Sequence, residues 1–125
     1  MYRLRARAHF DSAHYLRDYS GKCNRLHGHR WDVEAEISGK ELDYRNMLVD
    51  FSEVKGLMKE ICERLDHYEI NVQLSEENPT AEFLAAWFFM QMRSQLGRIT
   101  SATLSSITIW ESPECCVTYS EEGEG

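Results

Sequence analysis

The sequence predicts an α+β domain, a four-stranded antiparallel sheet with two helices on one face, in the order strand, strand, helix, helix, strand, strand. Three observations carry this. Two N-terminal stretches alternate apolar and charged residues with period two. Two central stretches place apolar residues at helical spacing behind capping residues. A C-terminal stretch rich in Thr, Ile and Trp is followed by a turn and a short apolar run. Strands that are grouped, and do not alternate with helices, give α+β and not a parallel α/β sheet.

Over residues 2–10, Tyr2, Leu4, Ala6, Ala8 and Phe10 share one face while Arg3, Arg5, Arg7 and His9 share the other. Such alternation marks a half-buried strand. Residues 29–38 repeat the pattern, with Trp31, Val33, Ala35 and Ile37 opposed to Asp32, Glu34 and Glu36. One polar face is basic and the next acidic, so the two strands gain from lying antiparallel side by side. Asp50-Phe51-Ser52-Glu53 resembles a capping box with Asp50 as N-cap. Val54, Leu57, Met58, Ile61, Cys62 and Leu65 then follow helical spacing. Asn78-Pro79 opens a second helix with Pro79 at its first position, running through Phe83, Leu84, Trp87, Phe88 and Met92 to about Leu96, where Gly97 supplies the stop. Residues 102–111 read as a strand, Ser112-Pro113-Glu114 as a turn and 115–119 as a last strand. Two helices cover only one face of such a sheet, so the face with the Arg and Glu rows meets water or another subunit.

With 125 residues, 42% hydrophobic and 28% charged, the chain fits one globular domain over residues 1–120 with a short acidic tail at 121–125 that is expected to fray. Fourteen basic against 21 acidic residues, net −7, argue against general nucleic-acid binding. No apolar run approaches the ~18 residues of a membrane span, and the N-terminus lacks the apolar core of a signal peptide. A cytoplasmic protein is expected. The four cysteines Cys23, Cys62, Cys115 and Cys116 form no Cys-x-x-Cys pair and read as free thiols. Cys62 falls on the apolar stripe of the first helix, and at least one of Cys115 and Cys116 is expected to pack inward.

The chemistry gathers around histidine. His27 and His29 flank Gly28, which on a strand aims both imidazoles to one side. By parity they share the face of Trp31 and Val33. His14 shares the face of Phe10, whereas His9 points away. His14, His27 and His29 can therefore converge as three neutral imidazoles, a good Zn²⁺ site with its fourth position open; Fe(II) suits the same ligands. The plainer alternative is a satisfied turn. Cys23, four residues before His27, could be a thiolate base or nucleophile, a fourth ligand that closes the site, or an inert loop thiol. Asp66 beside His67 could fix the tautomer of an imidazole base, or be a polar cluster at a helix end. Glu111 at a strand end could pair with a planar N–C–N donor edge, or be a solvated carboxylate.

Taken in order, Phe10-x-x-Ala13-His14, Cys23-x-x-x-His27-Gly28-His29, Val49-Asp50-Phe51, Leu65-Asp66-His67, Asn78-Pro79-Thr80-Ala81-Glu82 and Trp110-Glu111 resemble the 6-pyruvoyl-tetrahydropterin synthase / 6-carboxy-tetrahydropterin synthase family over residues 3 to about 119. The resemblance implies the tunnelling fold, in which sheets of three subunits join into a barrel and two trimers stack into a hexamer with active sites between subunits. It implies zinc on His14, His27 and His29, Cys23 as general base, and Asp66 with His67 as a relay contributed by a neighbouring subunit. Glu111 is implied as the anchor of the pterin's aminopyrimidine edge, with Thr80 as helper. Three residues between Cys23 and His27 resemble the 6-carboxy branch, which serves queuosine and other 7-deazapurines, and the implied substrate is 7,8-dihydroneopterin triphosphate. A 6-pyruvoyl synthase, a dihydroneopterin-aldolase-like enzyme and a non-catalytic zinc-stabilised assembly module are the alternatives. Lys22, Arg25 and Arg30 are candidate phosphate contacts. Asn46, Ile70 and Ser112 depart from the family's usual Gly, Leu and Thr.

Overall fold

A computed structural model describes residues 1–17, 21 and 24–121. Cys23, Lys22 and residues 122–125 of the acidic tail lie outside the described residues. The elements are β1 (Tyr2–His14), β2 (His27–Gly39), α1 (Phe51–Glu63), α2 (Ile70–Gln73), α3 (Ala81–Leu96), β3 (Thr103–Ser112) and β4 (Cys115–Tyr119). The strands form one antiparallel sheet in the order β1-β2-β3-β4. The α+β class and the grouping of strands are as the sequence predicts.

Both N-terminal strands extend beyond their hydrophobic alternation. The inward face of β1 continues past Phe10 through Ser12 and His14, both buried, and β2 begins at His27. The pleat continues, but polar residues replace apolar ones on the inward face, so the hydrophobic period stops while the strand does not. In register, Arg5 faces Glu36, Arg7 faces Glu34 and His9 faces Asp32. The opposed charge rows meet: Arg7 Nε lies 3.0 Å from Glu34 Oε1, and Glu36 Oε1 lies 3.5 Å from Arg5 and 3.7 Å from Arg3. These exposed pairs fix register more than they add stability.

The other sheet face is the core. Phe10, Trp31, Val33, Ile37, Ile107 and Ile109 are fully buried against Val54, Met58 and Ile61 of α1 and Leu84, Phe88 and Met92 of α3. Asp50 caps α1 as expected, although its carboxylate accepts from the Ser52 N–H (2.8 Å). In α3 the cap is Thr80, whose hydroxyl accepts from Phe83 N (3.1 Å). Pro79 therefore lies one residue before the cap and not at the first helical position. Gly97 ends α3 with an ordinary right-handed φ of −60°, so the stop does not use glycine's left-handed freedom.

The single-turn helix α2 is absent from the sequence reading, because four residues are too few to show a period. Asn46 adopts φ +62°, the left-handed conformation that asparagine tolerates better than most residues and that suits the glycine it replaces. Cys62 is buried, and burial pushes its thiol up to about 12, which makes it inert. Cys115 and Cys116 are both exposed, against expectation, at the start of the edge strand β4. Of the acidic tail, Glu121 is tied down by Arg93 and by the Tyr119 hydroxyl (2.8 Å). No helix among the described residues is long and apolar enough to cross a membrane.

Phe10 stacks on Trp31 at 6.0 Å between ring centroids, with no exposure of either ring. Phe10→Ala is expected to cost about 3–5 kcal/mol, read as a lower urea midpoint at unchanged slope.

Candidate metal centre and active site

The end of the β1–β2 ladder builds the site. His14 pairs directly with His27, and Ser12 with His29. Opposed residues in an antiparallel pair project to the same face, and His27 and His29 share that face by parity. The three imidazoles therefore converge, with ring centroids 4.6, 4.7 and 5.3 Å apart. Trp31 closes the inner side, edge-on to His14 (4.9 Å) and to His29 (5.3 Å).

Backbone carbonyls orient two of the rings. His14 Nδ1 donates to Pro79 O (2.8 Å), and His27 Nδ1 donates to Arg25 O (2.8 Å). With the proton on Nδ1, each Nε2 presents a lone pair to the centre, the arrangement of metal-ligating histidines. Neither Pro79 nor Arg25 shows this role in the sequence, because a carbonyl carries no residue-type signal. Burial holds the His14 and His29 imidazoles below the usual histidine range, against the opposing pull of the Pro79 carbonyl on His14 and of the Glu111 carboxylate on both. Both are thus kept in the neutral form that binds metals.

The fourth member is Glu111. A bulge in β3 opposite β4, between Trp110 and Ser112, leaves Glu111 as the extra residue, just past the last β2–β3 pair, Asp32 with Trp110. Bulges of this kind re-aim side chains. Glu111 Oε1 lies 3.1 Å from His29 Nε2 and 3.4 Å from His14 Nε2. One ligand atom from each of His14, His27, His29 and Glu111 fits within 4.8 Å of the others. Despite the carboxylate's proximity, the buried His14 Nε2 and His29 Nε2 have no hydrogen-bond partner among the described residues. Buried polar nitrogens are rarely left without a partner, and a cation at their meeting point satisfies both. The residues present therefore fit a metal ion, held by nitrogen with a carboxylate beside it.

Asp66 and His67 form the bonded pair that the sequence left open. The left-handed backbone of His67 (φ +62°) turns its ring back, so Nδ1 meets Asp66 Oδ2 at 2.9 Å. Asp66 Oδ1 accepts the Asp11 N–H (2.8 Å), and His67 N–H donates to Asp11 O (2.6 Å), clipping the pair to the edge of β1. The Asp11 amide, followed by His67, holds the Asp66 carboxyl below the usual carboxylate range. With Nδ1 donating to the carboxylate, His67 Nε2 presents its lone pair from a largely exposed ring. His67 and His29 share the wall of a cleft of about 520 Å³, together with Asp11, Gly28, Arg30 and Tyr68. Arg30 is engaged by Asp11 (3.3 Å). Thr80 stands beside Pro79, its hydroxyl oxygen occupied by the α3 cap. The candidate base Cys23 lies outside the described residues.

A sequence profile of the 6-pyruvoyl tetrahydropterin synthase family matches residues 3–122. The chain belongs to that family. It is 30% identical to the 6-carboxy-5,6,7,8-tetrahydropterin synthase of Haemophilus influenzae, over 97% of this chain and 100% of the relative. It is 32% identical to a putative 6-carboxy-5,6,7,8-tetrahydropterin synthase of Pyrococcus horikoshii, over 93% and 89% of the two proteins. Among solved structures, a Caenorhabditis elegans 6-pyruvoyl tetrahydropterin synthase superposes with a TM-score of 0.82 at 23% identity, covering 97% of this chain and 96% of that one. A Plasmodium vivax 6-pyruvoyltetrahydropterin synthase does so with 0.75 at 17% identity, over 96% and 97%. The fold is the tunnelling fold of this family.

His27→Ala is expected to abolish stoichiometric metal uptake, measured by elemental analysis after dialysis, while the circular dichroism spectrum is unchanged. Asp66→Ala is expected to lower the unfolding midpoint at neutral pH. A carboxylate whose folded pKa is depressed stabilises above its unfolded value, 3.8, and that contribution is lost as pH falls through the folded value. The gap between variant and wild type should accordingly close on acidification below pH 3.8.

Proposed function

We propose that this protein is a zinc-dependent 6-carboxy-5,6,7,8-tetrahydropterin synthase acting on 7,8-dihydroneopterin triphosphate. The observation that carries the reading is the convergence of three imidazoles, with the Nε2 atoms of His14 and His29 buried and without a hydrogen-bond partner among the described residues. The names of the curated relatives at 30–32% identity support a 6-carboxytetrahydropterin product.

When bound, Zn²⁺ supplies Lewis-acid stabilisation of negative charge developing on oxygens of the substrate's C6 substituent. Glu111 accepts the paired N–H donors of the aminopyrimidine edge, a planar bidentate match, with Thr80 as a further contact. Cys23 removes the carbon-bound proton next to the ring. His67, held in one tautomer by Asp66, returns protons through Nε2. Triphosphate leaves, and cleavage of a carbon–carbon bond in the C6 substituent with one water gives the 6-carboxylate and acetaldehyde. Hydrogen is redistributed within the substrate, so the reaction needs no redox partner.

The protein acts as a cytoplasmic homo-oligomer in this reading, a hexamer of two trimers with Asp66 and His67 serving a neighbouring subunit's centre. The sheet supports this: β1 and β4 are its edges, and the face bearing Arg3, Arg5 and Arg7 carries no helix. The product places the protein in queuosine or other 7-deazapurine synthesis.

Incubating zinc-loaded protein with dihydroneopterin triphosphate should give acetaldehyde and 6-carboxytetrahydropterin by mass spectrometry. A 6-pyruvoyl product without acetaldehyde would assign the alternative synthase activity. Cys23→Ala should keep stoichiometric zinc and lose roughly 10²–10⁴-fold in turnover. Loss of zinc from that variant would make Cys23 a ligand.

A further inference from the structure

We infer that in the substrate-free protein the Glu111 carboxylate fills the fourth position of the metal held by His14, His27 and His29, and that pteridine binding draws it away and opens that position. The inference rests on the pterin reading above and adds a control step to the same site.

Two observations carry it. The first is distance. In a tetrahedral site with bonds of about 2.0–2.1 Å, neighbouring ligand atoms lie roughly 3.3 Å apart. Glu111 Oε1 lies 3.1 and 3.4 Å from His29 Nε2 and His14 Nε2, the spacing of a ligand and not of a remote anchor. The second is the nature of the facing atoms. His14 Nδ1 donates to Pro79 O, so its Nε2 offers a lone pair, and Glu111 Oε1 offers another. Two lone-pair-bearing atoms held this close repel unless a cation lies between them.

The same carboxylate cannot do both tasks at once. A bidentate pair with an N–C–N donor edge engages both oxygens, so Oε1 must leave the metal when the pteridine docks. Glu111 is suited to such a move. It sits in a strand bulge, is bonded to no other side chain among the described residues, and is one-third exposed. The vacancy for substrate oxygens thus opens only when the correct ring is present. Pteridine and small anions should bind cooperatively, because each favours the displaced carboxylate.

The test uses the full-length protein, stripped and reloaded with one equivalent of Co²⁺, whose visible d–d bands report its coordination. Azide probes the fourth position, and a 2-amino-4-oxopteridine with no C6 substituent probes the ring site without offering oxygens to the metal. In wild type, azide alone should leave the bands nearly unchanged. Azide should bind Glu111→Gln and Glu111→Ala roughly tenfold more tightly or better, and the pteridine should sensitise wild type to azide by a similar factor. Equal azide affinity in wild type and both variants without pteridine would overturn the inference. A pteridine that binds by equilibrium dialysis but leaves azide affinity unchanged would overturn the displacement. Failure of the pteridine to bind, with azide still excluded by Glu111, would leave the closed site standing and remove the pterin reading instead.

Discussion

The antiparallel register of β1 on β2 is the constraint on which everything else depends. It sets His14 opposite His27 and Ser12 opposite His29, on the face that also buries Phe10 and Trp31. Because side chains alternate with period two, a slip of one residue would send His14 to the charged face and leave Trp31 without its stacking partner. The register is held from both faces: apolar residues along the inward row, and the contacts of Arg3, Arg5 and Arg7 with Glu34 and Glu36 along the outward one. The same pairing therefore closes the core and brings together the imidazoles that could hold a metal ion.

A second constraint ties the Asp66–His67 pair to that assembly. The segment after α1 does not pass freely over β1; Asp66 and His67 bond the backbone of Asp11, and Ala13 N–H donates to Tyr68 O (3.2 Å). Ser12 adds its hydroxyl to Leu65 O. His14, one of the candidate metal ligands, projects from the inward face of β1, and the Asp66–His67 pair hangs from the free edge of that strand. One strand thus positions both a candidate metal ligand and the Asp66–His67 pair, a few residues apart.

Much of this was legible in the sequence because it is periodic. The alternation of residues 2–10 and 29–38 gives the strands, their opposed charges give the pairing, and parity alone separates His14 from His9. What periodicity does not carry was missed. The helix α2 is too short for a period, and Cys115 and Cys116 are exposed because edge position, not alternation, decides burial there. At the site, the nearness of Glu111 to the histidines follows from a bulge between Trp110 and Ser112, and the ring tautomers follow from the carbonyls of Pro79 and Arg25. Bulges and carbonyl contacts are properties of the folded backbone, with no residue-type signature. Asp66 and His67 were visible as neighbours, but their bond depends on the left-handed backbone at His67.

The most direct measurement is X-ray absorption at the zinc edge of the reconstituted protein. The nearest scatterers are expected to be nitrogen and oxygen near 2.0–2.1 Å, with the multiple-scattering pattern of three imidazoles, which drops to two in His14→Ala. Sulfur among the nearest scatterers near 2.3 Å, or an imidazole count that His14→Ala leaves unchanged, would contradict that ligand set.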